Sequence, residues 1–512
     1  MPFINSILGW LNTKRLYQID LFRNYPAEVQ FETLTNLLNK AKDTEYGRKY
    51  GFESIKSIDD FQKRIPILDY EGIKPYIDRL RQGEQHLLWP TETKWFAKSS
   101  GTTQNKSKFI PVSFDALEEC HFRGGRDIIA IYTQLHPEND LLSGKGFTLG
   151  GSHQIDNFSM NSYYGDLSAI LIENQPWWAD FIRTPSQKVA LIPDWEEKLD
   201  MITHETLKEN VTSIAGVPSW NLVMIKHILN YTGKSNLLEI WPNLELFMHG
   251  GVSFVPYREQ FKQVIPSPSM NYMEAYNASE GFFAIQDDPH SDDMLLMLDY
   301  GIFYEFIPTE DIALENPRVL TIGDVETGKN YAMVISTNSG LWRYLIGDTI
   351  TFTSRKPHKI KITGRTRHFI NVFGEEVIVD NAEKALKIAC EKTGAQIQEY
   401  TAAPIYMDRN KTGAHEWIIE FDVEPNNLSI FTQELDAALC SINSDYEAKR
   451  YKGVTLTMPI VRSVSKQTYF EWMRQRGKLG GQNKVPRLSN SREYVEQLIE
   501  ISEQLKTQES EI

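Results

Sequence analysis

The sequence predicts an α/β (α+β) chain: a large N-terminal unit over residues 1–367 and a small α+β unit over 368–512. Three observations predict it. Short apolar strand candidates alternate with helical stretches from about residue 140 to 280, the pattern of layered mixed sheets. Between Asp293 and Thr353 the pattern changes to strands joined by turns. Beyond Gly364–Asn371 a second, shorter alternation begins, and 512 residues exceed what one core supports.

The elements follow in chain order. Residues 1 to about 90 read as helical, with apolar positions at helical spacing, as in Phe31-Glu32-Thr33-Leu34-Thr35-Asn36-Leu37-Leu38. A polar loop follows, then a strand over Phe109–Val112. Ser113 is an N-cap, with Glu118 and Glu119 in the early turns of a helix to about Leu135. Strands are expected at Gly146–Leu149, Leu167–Ile172, Ser213–Val217 and Leu244–Met248, with a helix over Trp220–Leu229. Next come strands at Met294–Leu298, Ile302–Ile307, Tyr331–Thr337 and Thr349–Phe352. Asp324–Lys329 and Asn338-Ser339-Gly340 read as hairpin loops. The small unit reads helix (Ala382–Thr393), strand (Ile397–Met407), strand (Trp417–Val423), helix (Leu428–Ser444), strand (Val454–Val461) and helix (Tyr494–Lys506). There is no internal repeat and no low-complexity segment.

Composition narrows the function. Hydrophobic content of 41% with 12% aromatics fits a globular chain and not a disordered one. The balance of 54 basic against 68 acidic residues, net −14, does not suit a chain that coats nucleic acid or an anionic membrane. Bound phosphate would need local lysines, arginines and backbone dipoles. Cys120, Cys390 and Cys440 are odd in number and far apart, which suggests a reducing compartment and neither a disulfide framework nor a cysteine zinc site. The 11 histidines form no ligand spacing and no His-Glu-x-x-His. With no signal-peptide layout and no apolar run of about 18 residues, a cytoplasmic protein is expected.

Three stretches carry chemistry. Ser99-Ser100-Gly101-Thr102-Thr103-Gln104-Asn105-Lys106-Ser107-Lys108 is rich in hydroxyls, which a core cannot satisfy and a loop around polyphosphate can use. Gly101 permits close approach and the lysines add charge. It is not a Walker loop, because Asn105 precedes Lys106 with no second Gly; a polar surface linker is the bland alternative. Tyr276-Asn277-Ala278-Ser279-Glu280-Gly281 offers a ring to stack on a purine, a hydroxyl donor to phosphate, and a carboxylate for Mg²⁺; an ordinary strand-to-turn junction would look the same. Leu341-Trp342-Arg343-Tyr344-Leu345-Ile346-Gly347-Asp348 places an Asp at a strand-adjacent turn, exposed by Gly347, suited to accept from two ribose hydroxyls, though Gly-Asp turns are common.

In this order and spacing the three stretches closely resemble the adenylate-forming superfamily, and within it the auxin-responsive Gretchen Hagen (GH3) family of acyl-acid amido synthetases. The resemblance runs from about residue 20 to 490. The family's loop reads Ser-Ser-Gly-Thr-Thr-Gln-Gly-Lys-Pro-Lys; residues 99–108 match it except at Asn105, which tolerates a left-handed turn, and Ser107, which loses proline's rigidity. The aromatic-x-x-Ser-Glu element matches at Tyr276–Glu280 and the Gly-Asp element at Trp342–Asp348. The hinge matches at Gly364-Arg365 and Ile370-Asn371, and the late Lys-x-Pro-Arg at Lys484-Val485-Pro486-Arg487.

The resemblance implies a large adenylate-forming domain (1–367) with mixed β-sheets and a β-barrel-like part, and a small mobile C-terminal domain (368–512). It implies ATP and Mg²⁺, with a small carboxylic acid and an amino acid as substrates: the acid is adenylated, then the amine displaces AMP. Ser99, Ser100, Gly101, Thr102 and Thr103 would wrap the β- and γ-phosphates, with Lys106 or Lys108 adding charge. Ser279 would face the α-phosphate and Glu280 hold Mg²⁺. Tyr276 would lie against adenine, edged by Gly250-Gly251; Asp348 would bind ribose, with Arg365 near ribose or phosphate. Lys484 would be the catalytic lysine that the mobile domain delivers, with His368–Asn371 as pivot. A monomer is expected, since each chain carries a full site set. An acyl-CoA ligase of the same superfamily and an idle nucleotide- or acid-binding member are the alternatives. Trp177-Trp178 and Trp220 are expected in the core or the pocket wall, Glu196-Glu197 on a wet helix face, and His249 either against the acyl substrate or satisfied at a strand end. The aromatic richness of residues 95–180 points to an aromatic or long apolar acid.

Overall fold

The chain opens with helices Pro2–Asn24, Pro26–Ala41, Glu45–Tyr50, Ile58–Arg64 and Tyr70–Arg81 in a computed structural model. That structure describes residues 2–99, 108–150, 156–159, 161–251, 254, 258–312, 314–365, 369–375, 377–407, 412–453, 455–476 and 487–510. Thr44, Ser57 and Asp69 cap three of these helices, each accepting from the backbone N–H three residues on. Ser113 caps as expected, its Oγ accepting from the Ala116 N–H at 3.0 Å. The helix it starts widens into a π turn at Leu117–His121 before continuing as Phe122–Leu135.

One eleven-stranded sheet organises the large unit. Its parallel half runs Asn271–Ala278, Leu246–Gly250, Val211–Gly216, Lys145–Thr148 and Arg183–Thr184. Its antiparallel half continues from Asn271–Ala278 through Gly281–Ile285, Met294–Leu296, His358–Arg365, Tyr344–Arg355 and Asn330–Thr337 to Ile302–Pro308. A four-stranded sheet beside it contains Trp95–Ser99 and Lys108–Val112 as antiparallel neighbours.

Three expectations need correction. Leu167–Ile172 is helical, within Leu167–Glu173, and buries Ala169, Ile170 and Ile172. A six-residue apolar run is ambiguous between a buried strand and a buried helix, and here Leu and Ala favour the helix. Gly347-Asp348 is not an exposed turn but part of the strand Tyr344–Arg355, where Gly347 takes φ +96° at a register shift and Asp348 is 6% exposed. Of the expected strand Val454–Val461, only Ile460 and Val461 among the described residues are in a strand, which runs on as Ile460–Ser463 and starts beside Pro459, with no N–H to give a ladder.

In the C-terminal part, Gln396–Ile405, Ala414–Val423 and Ile460–Ser463 form a three-stranded sheet. Helices Val379–Thr393 and Leu428–Ile442 pack through Ala385, Leu435 and Leu439 into an apolar cluster shared with its Trp417 and Ile419. Thr468–Gln475 and Glu493–Ser510 join Ala403 and Ile418 through Trp472, Val495 and Leu498. The first of these clusters also takes in Phe247, Phe254 and Phe261 of the large unit. Gln260 Nε2 donates to the Met407 carbonyl at 2.6 Å, and Lys452 pairs with Glu196.

Candidate functional site

The parallel strands end in a common rim. Thr148, Gly216, His249–Gly250 and Glu274–Ala278 all open onto one cavity of about 1730 Å³. Carboxyl ends of parallel strands are where open α/β sheets bind ligands. Helix Phe122–Leu135 walls one side, and Asn371–Gly374, Tyr406, Lys449 and Asn490 of the C-terminal part close it from another. The volume exceeds the roughly 300–1,000 Å³ of a single small-molecule pocket and has room for more than one ligand.

Of the residues singled out in the sequence, Lys108, Gly250, Gly251, Tyr276, Ser279, Glu280 and Asp348 line this cavity together. The Tyr276 hydroxyl donates to Asp348 Oδ2 at 2.5 Å, joining two elements 72 residues apart. Both side chains are nearly buried, and the tyrosine ring packs on Phe283 at 4.8 Å. Arg365 sits opposite Asp348 in the strand register. Gly250 pairs with Ala275, and a Cβ there would lie 2.3 Å from the Ala275 carbonyl oxygen, so only glycine fits; Gly251 follows at φ +81°. Ser279 and Glu280 form the turn between the antiparallel strands Asn271–Ala278 and Gly281–Ile285, which projects them over the rim.

Ser99 and Lys108 are cross-strand partners, so the two ends of the hydroxyl-rich loop meet. Ser100, Gly101, Thr102, Thr103 and Lys106, like Lys484, lie outside the described residues. Arg487, three positions after Lys484, is paired with Glu399.

Burial tunes several cavity groups. His249 stacks on Phe254 at 4.2 Å; burial, and then the charge of Arg258, lowers its pKa to about 3, so it is a neutral imidazole. His121, on the π turn, lies 3.3 Å from Asn277 Oδ1 and is pushed by burial to about 4. Glu274, opposite His249 in the register, rises to about 7 through burial and then the neighbouring charge of Asp292, against the pull of Arg258 and Lys361. Burial also raises the Asp166 carboxyl, against the pull of Lys449, Lys98 and Lys198. Sequence reasoning missed Glu274, Asp166, Lys98 and Lys449. For Glu274 a signal existed: a lone carboxylate two positions before Tyr276 in an otherwise uncharged strand, Asn271–Ala278.

The lining also carries apolar side chains. Ile128, Ile129, Leu141, Leu171, Trp178 and Ile182 are among them. Trp178 and Trp220 form wall, whereas Trp177 stands 81% exposed on the surface. Glu196 and Glu197 are exposed, as expected of a wet face. Among the described residues no three His, Cys, Asp or Glu cluster as a metal cage, and no helix is long and apolar enough to cross a membrane.

Three family models match the sequence: the GH3 family N-terminal domain over residues 15–270, the GH3 family central domain over 295–365 and the GH3 family C-terminal domain over 380–493. Among curated proteins the chain is similar to indole-3-acetic acid-amido synthetase GH3.3 of Arabidopsis thaliana, 22% identical over 90% of this chain and 89% of that one. It is likewise similar to 4-substituted benzoates-glutamate ligase GH3.12 of Arabidopsis thaliana, 22% identical over 92% and 94%. Among solved structures, AtGH3.15 acyl acid amido synthetase in complex with 2,4-DB superposes with a TM-score of 0.59 at 17% identity, covering 92% and 93% of the two chains. A 2-hydroxyisobutyryl-CoA ligase gives 0.56 at 12% identity over 94% and 93%.

Proposed function

This chain belongs to the GH3 family, and on that premise we propose that it is an ATP-dependent acyl-acid amido synthetase. The observation that carries the reading is the meeting in one cavity of the Tyr276–Asp348 pair, the Gly250-Gly251 rim and the Ser279-Glu280 turn, with Lys108 beside them. In this reading the acid's carboxylate oxygen attacks the α-phosphorus of ATP, pyrophosphate leaves, and an acyl-adenylate forms. An amino acid's amine then attacks the acyl carbon, the C–O bond to AMP breaks, and an amide is released.

The chain's own groups position and neutralise. Tyr276 backs the purine and fixes Asp348, whose carboxylate accepts from ribose hydroxyls. Gly250 and Gly251 leave the rim open for the base edge. Ser279 faces the α-phosphate, Lys108 and the loop 99–106 carry the outer phosphates, and Arg365 stands by ribose or phosphate. Glu280 fits Mg²⁺, which takes one or two carboxylates plus substrate phosphates and needs no protein cage. When bound there it offsets the repulsion between the acid and the triphosphate. Lys484 serves adenylation, carried by rotation of residues 368–512 about His368–Asn371. The apolar lining, Trp178 included, takes an aromatic or long apolar acyl group. The protein acts as a cytoplasmic monomer.

ATP–pyrophosphate exchange against a panel of carboxylic acids tests this, followed by mass spectrometry with pooled amino acids or CoA. Exchange with an amide product supports the reading. A thioester moves the protein to the CoA ligases, and nucleotide binding without exchange on any acid makes it an idle binding member.

A further inference from the structure

The C-terminal part presents one cation to the cavity among the described residues, Lys449 on the helix Ser444–Arg450. Its Nζ lies 4.3 Å from the centre of the Trp220 ring, which belongs to the large unit. Gly374 makes room for it: a Cβ there would lie 3.2 Å from Lys449 Cε and 3.5 Å from Nζ. Among the described residues the Lys449 ammonium makes no hydrogen bond and no ion pair within 4 Å, while its backbone carbonyl accepts from the Leu456 N–H. Burial therefore lowers the pKa of its ammonium, against the more distant pull of Asp445, Asp166 and Glu375. Such a cation, held on an aromatic face and open to a cavity, is arranged for an anion that arrives from solution.

Two carboxylates accompany it. Asp445, one turn earlier on the same helix, and Asp166, across the boundary between the two parts, both line the cavity. A cation and two carboxylates that act on one another in one cavity complement a zwitterion better than a polyanion. Lys98 and Lys108 stand on the large unit's own paired strands, where the proposed function assigns the triphosphate.

Resting on the amido-synthetase reading, we propose that Lys449, backed by Trp220, binds the α-carboxylate of the acceptor amino acid, with Asp166 and Asp445 at its ammonium end. The acceptor is thus recognised as a free α-amino acid by the C-terminal part. Arg487, by contrast, is paired with Glu399 and does not line the cavity. One domain would then offer different lysines to the two half-reactions.

The test separates those half-reactions in the full-length protein. Exchange and hydroxylamine trapping of the adenylate need no amino acid; amide formation does. K449M is expected to raise the KM for the preferred member of a twenty-amino-acid pool by about 10- to 100-fold, the loss of one charge-assisted hydrogen bond. Exchange and hydroxamate formation should stay within twofold. Wild type should favour that amino acid over its α-carboxamide, K449M should use the two about equally, and K449R should restore the preference. D166N, which leaves the lysine in place, should raise the same KM if Lys449 variants fail to fold. An unchanged KM and unchanged preference in K449M overturn the proposal. A parallel loss of exchange and amide formation in folded K449M assigns the lysine to the nucleotide and overturns it too. If wild type itself shows no exchange, it is the amido-synthetase reading that fails.

Discussion

Replacing Tyr276 by Phe removes a single hydroxyl. The ring keeps its place on Phe283, so any base stacking survives, and what is lost is the O–H donated to Asp348 Oδ2 at 2.5 Å. Hydrogen bonds to charged groups contribute about 1.5–3 kcal/mol. Asp348 is only 6% exposed, so water replaces the lost donor poorly. Because Asp348 keeps other interactions, the lower half of that range applies: about 1.5–2 kcal/mol, or 10- to 30-fold in affinity. If Asp348 holds ribose, this appears as a rise in the KM for ATP in the exchange assay, with little change in the KM for the acid. Thermal unfolding in parallel reports how much of the loss is global. An ATP KM within twofold of wild type, with an unchanged transition temperature, would refute the link between the tyrosine, the aspartate and the nucleotide. Y276L, which also removes the ring, should cost more than Y276F; equal effects would show that the ring does not meet the base.

Glu274 gives a pH signature. Its folded pKa of about 7 lies above the model-peptide value, so its contribution to stability is present at low pH and is lost as pH rises toward 7. E274Q should therefore become progressively more stable relative to wild type between about pH 4.5 and 7, and a constant difference in unfolding temperature across that window would contradict the assignment. R343M should be among the most destabilising single changes: it strips a fully buried Glu305 of its partner and the Gln62 and Ile65 carbonyls of their donor, at a cost of about 3–5 kcal/mol in chemical denaturation. A loss below 1 kcal/mol would show that Glu305 finds water or a proton instead. G250A forces a Cβ against the Ala275 carbonyl and should lose about 1–3 kcal/mol together with a raised ATP KM, whereas full stability would mean that the two parallel strands separate without cost.

The sequence was most legible where chemistry dictates residue type. Tyr276, Ser279, Glu280 and Asp348 stand out because aromatic, hydroxyl and carboxylate crowd into short segments, and they do line one cavity. Their contact was not legible: nothing within six residues of Tyr276 announces a partner 72 positions away. Arg343 was read as part of a nucleotide element, yet it is a buried structural cation on Glu305; a motif does not say which of its members faces inward. Gly347-Asp348 reads as a turn because glycine and aspartate favour turns, but the same freedom at φ +96° serves a bulge inside a long strand. Lys449 lies in Asp445-Tyr446-Glu447-Ala448-Lys449-Arg450, an ordinary helix end, and only the packing of the two parts gives it a cavity.

The Tyr276–Asp348 contact also constrains the shape of the sheet. Between their strands lie Gly281–Ile285, Met294–Leu296 and His358–Arg365, so the two residues are four strand steps apart. At about 4.8 Å per step a flat sheet would separate them by roughly 19 Å, far beyond the reach of a tyrosine. The hydroxyl nevertheless meets the carboxylate, so the antiparallel half must curl over on itself, in keeping with the barrel-like part that the family resemblance implies. Its means are visible: a middle strand of only three residues, and register shifts at Phe282/Ala284, Thr349/Ile350 and Phe352/Ser354, each adding local twist. A flat sheet would leave Tyr276 and Asp348 on separate surfaces. The curl makes them two walls of one slot, so the bulges shape this part of the cavity as much as the residues that line it.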